Sequence, residues 1–264
     1  MPSRTRLDIV LLVVAAGQAL FAALLVVRPQ FVLDLWPFPG TTELTFYFIA
    51  AIFAAAAAST AWAALVGEEA SYPGIALDYL AIFGPMVIYL LLVDPVRGGG
   101  ISLFWLGLVA TLAFGAWLLW QTSRASRRDP RATPRPALIA FGVFAPVLGV
   151  VGLALVLNVP NVLPWPVTPE LSVIGGLIFL GAGVYFLYGL LRPSWTNAGG
   201  QLAGFLAYDL ILIGPFLARL PTVPDQWRIS LIAYTAVLVV SGVLAAWYLF
   251  IAPATRATAR QASR

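Results

Sequence analysis

Three residue types are missing from this chain, and each absence excludes a kind of site. It has no histidine and no cysteine, and all fifteen of its basic residues are arginine, so lysine is absent too. Haem, copper, iron–sulfur and thiolate-zinc sites therefore lose their usual ligands. A retinal Schiff base has no amine on which to form, and neither a cysteine nucleophile nor a Ser-His-Asp triad can exist. We predict no cofactor, no metal site and no disulfide.

Charge is scarce as well. Only 10% of the 264 residues are charged, whereas 61% are hydrophobic, and the mean hydropathy is +0.93. A water-facing surface of ordinary polarity cannot cover such a chain, so its solvent is lipid. The length leaves room for spans of about 20 residues each and for no sizeable soluble domain. The predicted fold class is all-α, a polytopic membrane helix bundle of about eight transmembrane helices.

Apolar runs separated by Pro, Gly and charged residues define the spans. They cover approximately residues 7–27, 41–66, 72–93, 101–120, 137–157, 171–191, 199–217 and 229–251. The first run is too long for a signal-peptide core and has no small-residue cleavage site after it, so it is predicted to be an uncleaved anchor. Gly98-Gly99-Gly100 has neither the preceding strand nor the following lysine of a phosphate-binding loop, and it is predicted to be a turn.

A series of short motifs occurs twice, in the same order and at offsets of 127 to 131 residues. The matching pairs are Trp36-Pro37 and Trp165-Pro166, Glu43-Leu44 and Glu170-Leu171, Asp78 and Asp209, Gly84-Pro85 and Gly214-Pro215, and Ile101-Ser102-Leu103 and Ile229-Ser230-Leu231. This duplication predicts two parallel four-helix repeats, related by a pseudo-twofold axis along the membrane normal. The predicted parts are a first repeat (1–123), a cytoplasmic Arg/Pro linker (124–136), a second repeat (137–252) and a cytoplasmic tail (253–264).

The arginines predict the orientation. With the N-terminus inside, the inner segments hold Arg4, Arg6, Arg124, Arg127, Arg128, Arg131, Arg135, Arg192, Arg256, Arg260 and Arg264, and the outer ones hold Arg28, Arg97, Arg219 and Arg228. Because cationic residues beside short spans stay in the cytoplasm, we predict a multi-pass protein of the plasma (inner) membrane with both termini cytoplasmic. The predicted partners are membrane lipids, with a second protein in the membrane as a further possibility. One short basic loop does not make a nucleic-acid-binding face.

Two acidic residues lie inside predicted spans. Asp78 and Asp209 each stand beside a tyrosine, Tyr79 or Tyr208, and each precedes a Gly-Pro pair that frees a backbone carbonyl. A carboxylate at such depth costs about 2.5 to 3.5 kcal/mol on insertion scales, so it should face the bundle interior, be neutral or be paired. One hypothesis is a binding site for a proton, cation or polar substrate, formed by these four residues. The other is that each aspartate bonds a nearby tyrosine or tryptophan and holds the helices together.

A second group of candidate residues lies at the predicted outer mouth. Glu43 and Glu170 follow threonines at helix starts, where a threonine caps the helix and an acid favours the positive end of the dipole. Binding of a cation or a headgroup is the alternative role. Trp36 and Trp165 are predicted to anchor the protein in the headgroup layer, with paired lids over the bundle mouth as the alternative.

Three classes of function remain open at this point. The chain is an accessory or structural membrane subunit, or a small carrier or lipid-handling permease with a site between the repeats, or a membrane enzyme that uses carboxylates on an apolar substrate. Two related acids would suffice for acid/base chemistry. Nothing in the sequence indicates a nucleophile, so no catalytic residue is assigned and the accessory role is the leading prediction.

Overall fold

The computed structural model describes residues 6–38, 41–93, 103–126 and 129–255. The helices within these ranges are α1 Arg6–Val27, α2 Gln30–Leu35, α3 Glu43–Val66, α4 Tyr72–Val93, α5 Leu103–Thr122, α6 Arg135–Val156, α7 Pro169–Leu191, α8 Trp195–Arg219 and α9 Asp225–Ala246. A 3-10 turn, Glu69–Ser71, leads into α4, and a π-helical turn, Trp247–Ile251, extends α9. The predictions outside the described residues concern Arg4, Arg97, the turn at Gly98-Gly99-Gly100, Ile101, Ser102, Arg127, Arg128, and the tail from Arg256 onward.

Eight of these helices are long and apolar enough to cross a membrane. The described residues form helices and contain no strand. The prediction of an all-helical fold with eight helices long and apolar enough to span a membrane is therefore confirmed. Among the last four spans, the largest differences at a helix start are four residues. The helix α8 begins at Trp195 instead of 199, and α9 begins at Asp225 instead of 229. The short helix α2 is an addition, because six residues are too few for a hydropathy pattern to reveal.

Four helices occupy the centre of the bundle. In it α3 packs on α8 and α4 packs on α7, while α1, α5, α6 and α9 lie outside against α3, α4, α7 and α8 respectively. The neighbours in sequence, α3 with α4 and α7 with α8, make far smaller contacts. Each of the large contacts in one half thus has a counterpart in the other, and the two halves share one core. The two parallel repeats themselves stay a prediction.

Two polar contacts fix the relative direction of α3 and α7. Trp165, four residues before α7, donates its indole N–H to Oγ1 of Thr45 in the first turn of α3, at 2.9 Å. Further along both helices, the hydroxyl groups of Ser59 and Tyr185 lie 2.6 Å apart. Because the first turn of α3 contacts the segment that leads into α7, and later turns of the two helices also contact each other, α3 and α7 run parallel.

The segment between the halves is hydrogen-bonded to both of them. The N–H of Asp129 donates to Oε2 of Glu68, in the α3–α4 turn, at 2.9 Å. The N–H of Trp195, at the start of α8, donates to the carbonyl of Arg131 at 3.0 Å. Since Glu68 and Asp129 are only 1% and 6% exposed, this stretch is part of the packed structure. We call the end of the bundle that carries it the linker end.

Candidate functional site

The structure places Asp209 against α9. The carboxylate is 3% exposed and accepts a hydrogen bond from Oγ of Ser241 at 2.9 Å. Gly242 makes room for it, because a Cβ added there would lie 3.3 Å from Oδ2. The residue therefore joins two neighbouring helices, as the packing hypothesis requires, although its partner is a serine instead of an aromatic residue.

Asp78 lies in a different environment. Gly74, one turn before it, packs against the rings of Tyr185 and Tyr188, and Ile82, one turn after it, packs against Gly181. The side chain of Asp78 thus faces α7, where it lies within electrostatic range of Tyr185. It is partly buried, and in the described ranges no hydrogen bond or ion pair involves its carboxylate.

The two neighbouring tyrosines bond elsewhere. The hydroxyl of Tyr79 accepts a hydrogen bond from Nε2 of Gln18 at 2.8 Å and lies 3.2 Å from Oγ1 of Thr60. Tyr208 is hydrogen-bonded to Tyr234. Within the part of the chain that the structure describes, no hydrogen bond joins any two of the four predicted residues.

A buried carboxylate–tyrosine pair does occur, at a place that sequence analysis missed. Asp8, in the first turn of α1, accepts a hydrogen bond from the hydroxyl of Tyr72, at the start of α4. Both residues are almost completely buried, at 4% and 0% exposure. The signal that could have identified Asp8 is its position inside an apolar run, the same criterion that selected the other two aspartates.

At the opposite end of the bundle, the two tryptophans differ. The ring of Trp165 is 1% exposed and packs beside Phe48 and Phe216, so it fills the core instead of lying in a headgroup layer. Trp36 is partly buried and donates its indole N–H to Oγ1 of Thr41 at 2.8 Å. The space beside Trp165 amounts to only about 10 Å³.

The capping role predicted near the two glutamates is confirmed. Oγ1 of Thr42 accepts from the N–H of Thr45 at the start of α3, and Oγ1 of Thr168 accepts from the N–H of Leu171 at the start of α7. Glu43 and Glu170 stand in the first turns that follow. Glu43 also forms an ion pair with Arg28 at 2.6 Å.

A cleft of about 550 Å³ lies at the linker end. Its walls come from the starts of α4 and α8, the ends of α5 and α7, and the segments beside them. The lining residues are Ala70, Pro73, Leu77, Leu119, Thr122, Ser123, Ala125, Tyr188, Leu191, Arg192, Pro193, Ser194 and Asn197. None of the candidate site residues predicted from the sequence is among them.

The lining of this cleft is mixed in polarity. Leu77, Leu119 and Leu191 supply apolar surface, and Arg192, Ser194 and Asn197 supply polar groups. The sequence prediction used Arg192 only to set orientation, and it treated the polar run from Ser194 to Asn197 as a loop. Because that run is buried and helical from Trp195 onward, hydropathy alone could not find it.

Comparison of the chain with protein-family models, with curated proteins and with solved structures gave no match. The function must therefore be argued from geometry. Among the described residues that line the cleft, no nucleophile is paired with a base. Volumes of about 300 to 1,000 Å³ are typical of pockets for small molecules.

Proposed function

We propose that this protein is a small lipid-handling permease that binds a lipid-like amphiphile in the linker-end cleft. The observation that carries the proposal is the mixed lining, which combines leucines with the polar residues Arg192, Ser194 and Asn197. An amphiphile presents both kinds of surface. The volume of about 550 Å³ suits a headgroup with the first part of an acyl chain.

The proposal includes the topology. The chain forms two parallel four-helix repeats in the plasma membrane, with the linker end in the cytoplasm. The matched helix contacts of the two halves and the parallel course of α3 and α7 support the repeats. Arg124, Arg131, Arg135 and Arg192 all lie at or beside the linker end, which supports the orientation.

At the place in the other half that corresponds to the cleft, the described side chains pack together, which supports a specialised site. The corresponding place lies between the end of α3, the start of α8 and the end of α9. There Trp195, Ala245 and Leu249 belong to one packed cluster, and the ring of Trp62 lies against Trp195 at 6.2 Å between centroids. Large side chains thus occupy the position that corresponds to the cleft.

Filling the cleft tests the proposal. Leu77→Trp adds volume to its apolar wall, and we expect it to reduce lipid binding about tenfold, as the loss of about 1.4 kcal/mol of binding free energy would. The measurement is native mass spectrometry of the purified protein, mixed with equimolar lysophospholipids that differ in headgroup. The fraction of protein that carries one lipid is compared between variants.

The matched control is Leu210→Trp, the same substitution on α8 at a side chain that is 67% exposed on the outside of the bundle. This variant should bind lipid like the unmodified chain. Equal binding by both tryptophan variants would refute the cleft as the binding site. Poor folding of Leu77→Trp alone would show as a lower melting temperature and would be separated from a specific loss of binding by that measurement.

Asp78 supports a second candidate function, a carrier that couples to a proton or a cation. Its carboxylate has no bonding partner in the described ranges, and it faces the same α4–α7 interface that contributes Leu77 and Tyr188 to the cleft. The enzyme alternative, for which the two related acids would suffice, loses support because Asp209 is bonded to Ser241 and not to Asp78. The accessory-subunit alternative is supported by Asp209 but leaves Asp78 and the cleft without a role.

Stability distinguishes the two aspartates. An unpaired acid inside a membrane protein costs about 2.5 to 3.5 kcal/mol on insertion scales, so Asp78→Leu should raise the melting temperature in detergent. Asp209→Leu, the matched substitution, removes a bonded group and should gain less or lose stability. Thermal unfolding followed by size-exclusion chromatography measures both. A lower melting temperature for Asp78→Leu than for Asp209→Leu would contradict the assignment of a functional role to Asp78.

A further inference from the structure

Two polar residues that line the cleft, Ser194 and Asn197, lie at the start of α8. This helix has 25 residues, and Ser194 precedes it at the capping position without a side-chain cap. The N–H of Trp195 donates to the carbonyl of Arg131. The N–H groups of Thr196 and Asn197 have no acceptor among the described residues. Free N–H groups at the positive end of a long helix favour an anion.

Asn197 is an independent sign of a ligand. The residue is among those that line the cleft and is 5% exposed. Nδ2 donates to the carbonyl of Arg192 at 2.9 Å, which fixes the orientation of the amide, because the flipped amide would bring two oxygens together. Oδ1 then has no hydrogen-bond partner. A buried acceptor without a donor costs about 1 to 3 kcal/mol, a cost that a bound donor would remove.

Arg192 adds the charge. It is exposed, lines the same cleft, and forms no ion pair within the described part of the chain. The residues that line the cleft include this arginine and no acidic residue. Guanidinium groups bind phosphate and carboxylate oxygens with charge-assisted hydrogen bonds.

On the basis of the function proposed above, we infer that the cleft selects an amphiphile with a phosphate-bearing anionic headgroup that also carries a hydroxyl donor. Arg192 and the free N–H groups at the start of α8 bind the phosphate oxygens. Oδ1 of Asn197 accepts the hydrogen bond of the hydroxyl. Leu77, Leu119 and Leu191 contact the beginning of the acyl chain. A soluble phosphate compound shares the headgroup chemistry, so the experiment separates the two sources.

Three probes are titrated against the purified full-length chain, with binding measured by native mass spectrometry and by the shift in melting temperature. They are lysophosphatidic acid, lysophosphatidylcholine with the same acyl chain, and inorganic phosphate. Lysophosphatidic acid should bind about tenfold more tightly than the choline lipid, a difference of about 1.4 kcal/mol. Inorganic phosphate should bind far more weakly than either lipid, because it makes no apolar contact.

Variants assign the selectivity to the site. Arg192→Gln should abolish the preference for lysophosphatidic acid by weakening its binding more than that of lysophosphatidylcholine, whose choline group offsets the phosphate charge, and Arg192→Lys should retain part of the preference. The control is Arg135→Gln, which removes an exposed arginine at the start of α6, outside the cleft. It should keep the full preference. Asn197→Ala should weaken binding of both lipids, since both carry the glycerol hydroxyl.

The outcomes separate this inference from the function on which it rests. Equal affinity for the two lipids, with binding still lost in Leu77→Trp, overturns the anionic headgroup and leaves the amphiphile site standing. Phosphate binding as tight as that of lysophosphatidic acid supports the anion site and overturns the permease. Loss of preference in Arg135→Gln as large as in Arg192→Gln overturns the assignment to the cleft, because it indicates attraction by the general charge of this end.

Discussion

Gly176→Ala should unfold the bundle at a much lower temperature than the neighbouring substitution Gly175→Ala. A Cβ added at Gly176 would lie 2.6 Å from the carbonyl oxygen of Gly152 and 2.8 Å from the backbone nitrogen of Val156. Both obstacles are backbone atoms of α6, so no side-chain rotation relieves the overlap. The helices must separate, and overpacking of this kind costs about 3 kcal/mol.

Gly175 is the matched control because it precedes Gly176 in the same helix and shares its propensity. A Cβ there would meet side-chain atoms of Leu155 and Phe48 at 3.9 Å, which is ordinary contact. Gly175→Ala should therefore gain stability, by up to about 1 kcal/mol from helix propensity. Thermal unfolding in detergent compares the two. Equal melting temperatures for both variants would show that α6 and α7 do not approach each other so closely.

The same contact explains which part of the fold could be predicted. Hydropathy located the eight spans because lipid requires long apolar helices whatever their neighbours are. It does not report which face of a helix packs on another, since lipid-facing and helix-facing surfaces are both apolar. The hydropathy of α6 and α7 does not indicate that Gly152 contacts Gly176. That pairing depends on three-dimensional packing.

The candidate site shows the same limit. The rule that an acid inside a span marks a site selected both Asp78 and Asp209, yet their surroundings differ, because Ser241 faces only Asp209. The cleft was missed because its polar groups, Arg192 and Asn197, lie at the junction of two spans. There a polar run is expected in any membrane protein. Its burial follows from the linker, whose Arg131 carbonyl holds the start of α8.

The repeated motifs predict equivalent roles for matching residues, but they do not predict how the surroundings of each residue differ. The motif pairs Trp36-Pro37 and Trp165-Pro166 predicted equivalent roles for two tryptophans. The structure instead places one indole inside the core and leaves the other partly buried near the end of α2. The difference follows from the preceding segments, because α2 occupies the first copy and has no helical counterpart in the second.

Trp165→Ala should be the most destabilising substitution at the end opposite the linker. The ring packs 5.9 Å from Phe48 and 5.8 Å from Phe216, centroid to centroid, and its N–H bonds Thr45 of the other half at 2.9 Å. Truncation leaves a cavity between the halves and removes the hydrogen bond to Thr45, whose hydroxyl keeps its contact with Oγ1 of Thr42 at 3.0 Å. We expect a loss of about 3 kcal/mol, at the low end for a buried tryptophan, because lipid offers less hydrophobic driving force than water.

A second substitution separates the hydrogen bond from the packing. Trp165→Phe retains most of the ring volume and loses the N–H, so it should cost about 1 kcal/mol, as a lost hydrogen bond usually does. Trp120→Ala serves as the control, since that side chain is 75% exposed near the end of α5, and its melting temperature should stay within a degree or two of the unmodified chain. If Trp165→Ala were as mild as Trp120→Ala, the indole would not join the two halves. That result would show that Trp165 does not hold the halves together at this end of the shared core, which is inferred from the contacts of α3 with α8 and of α4 with α7.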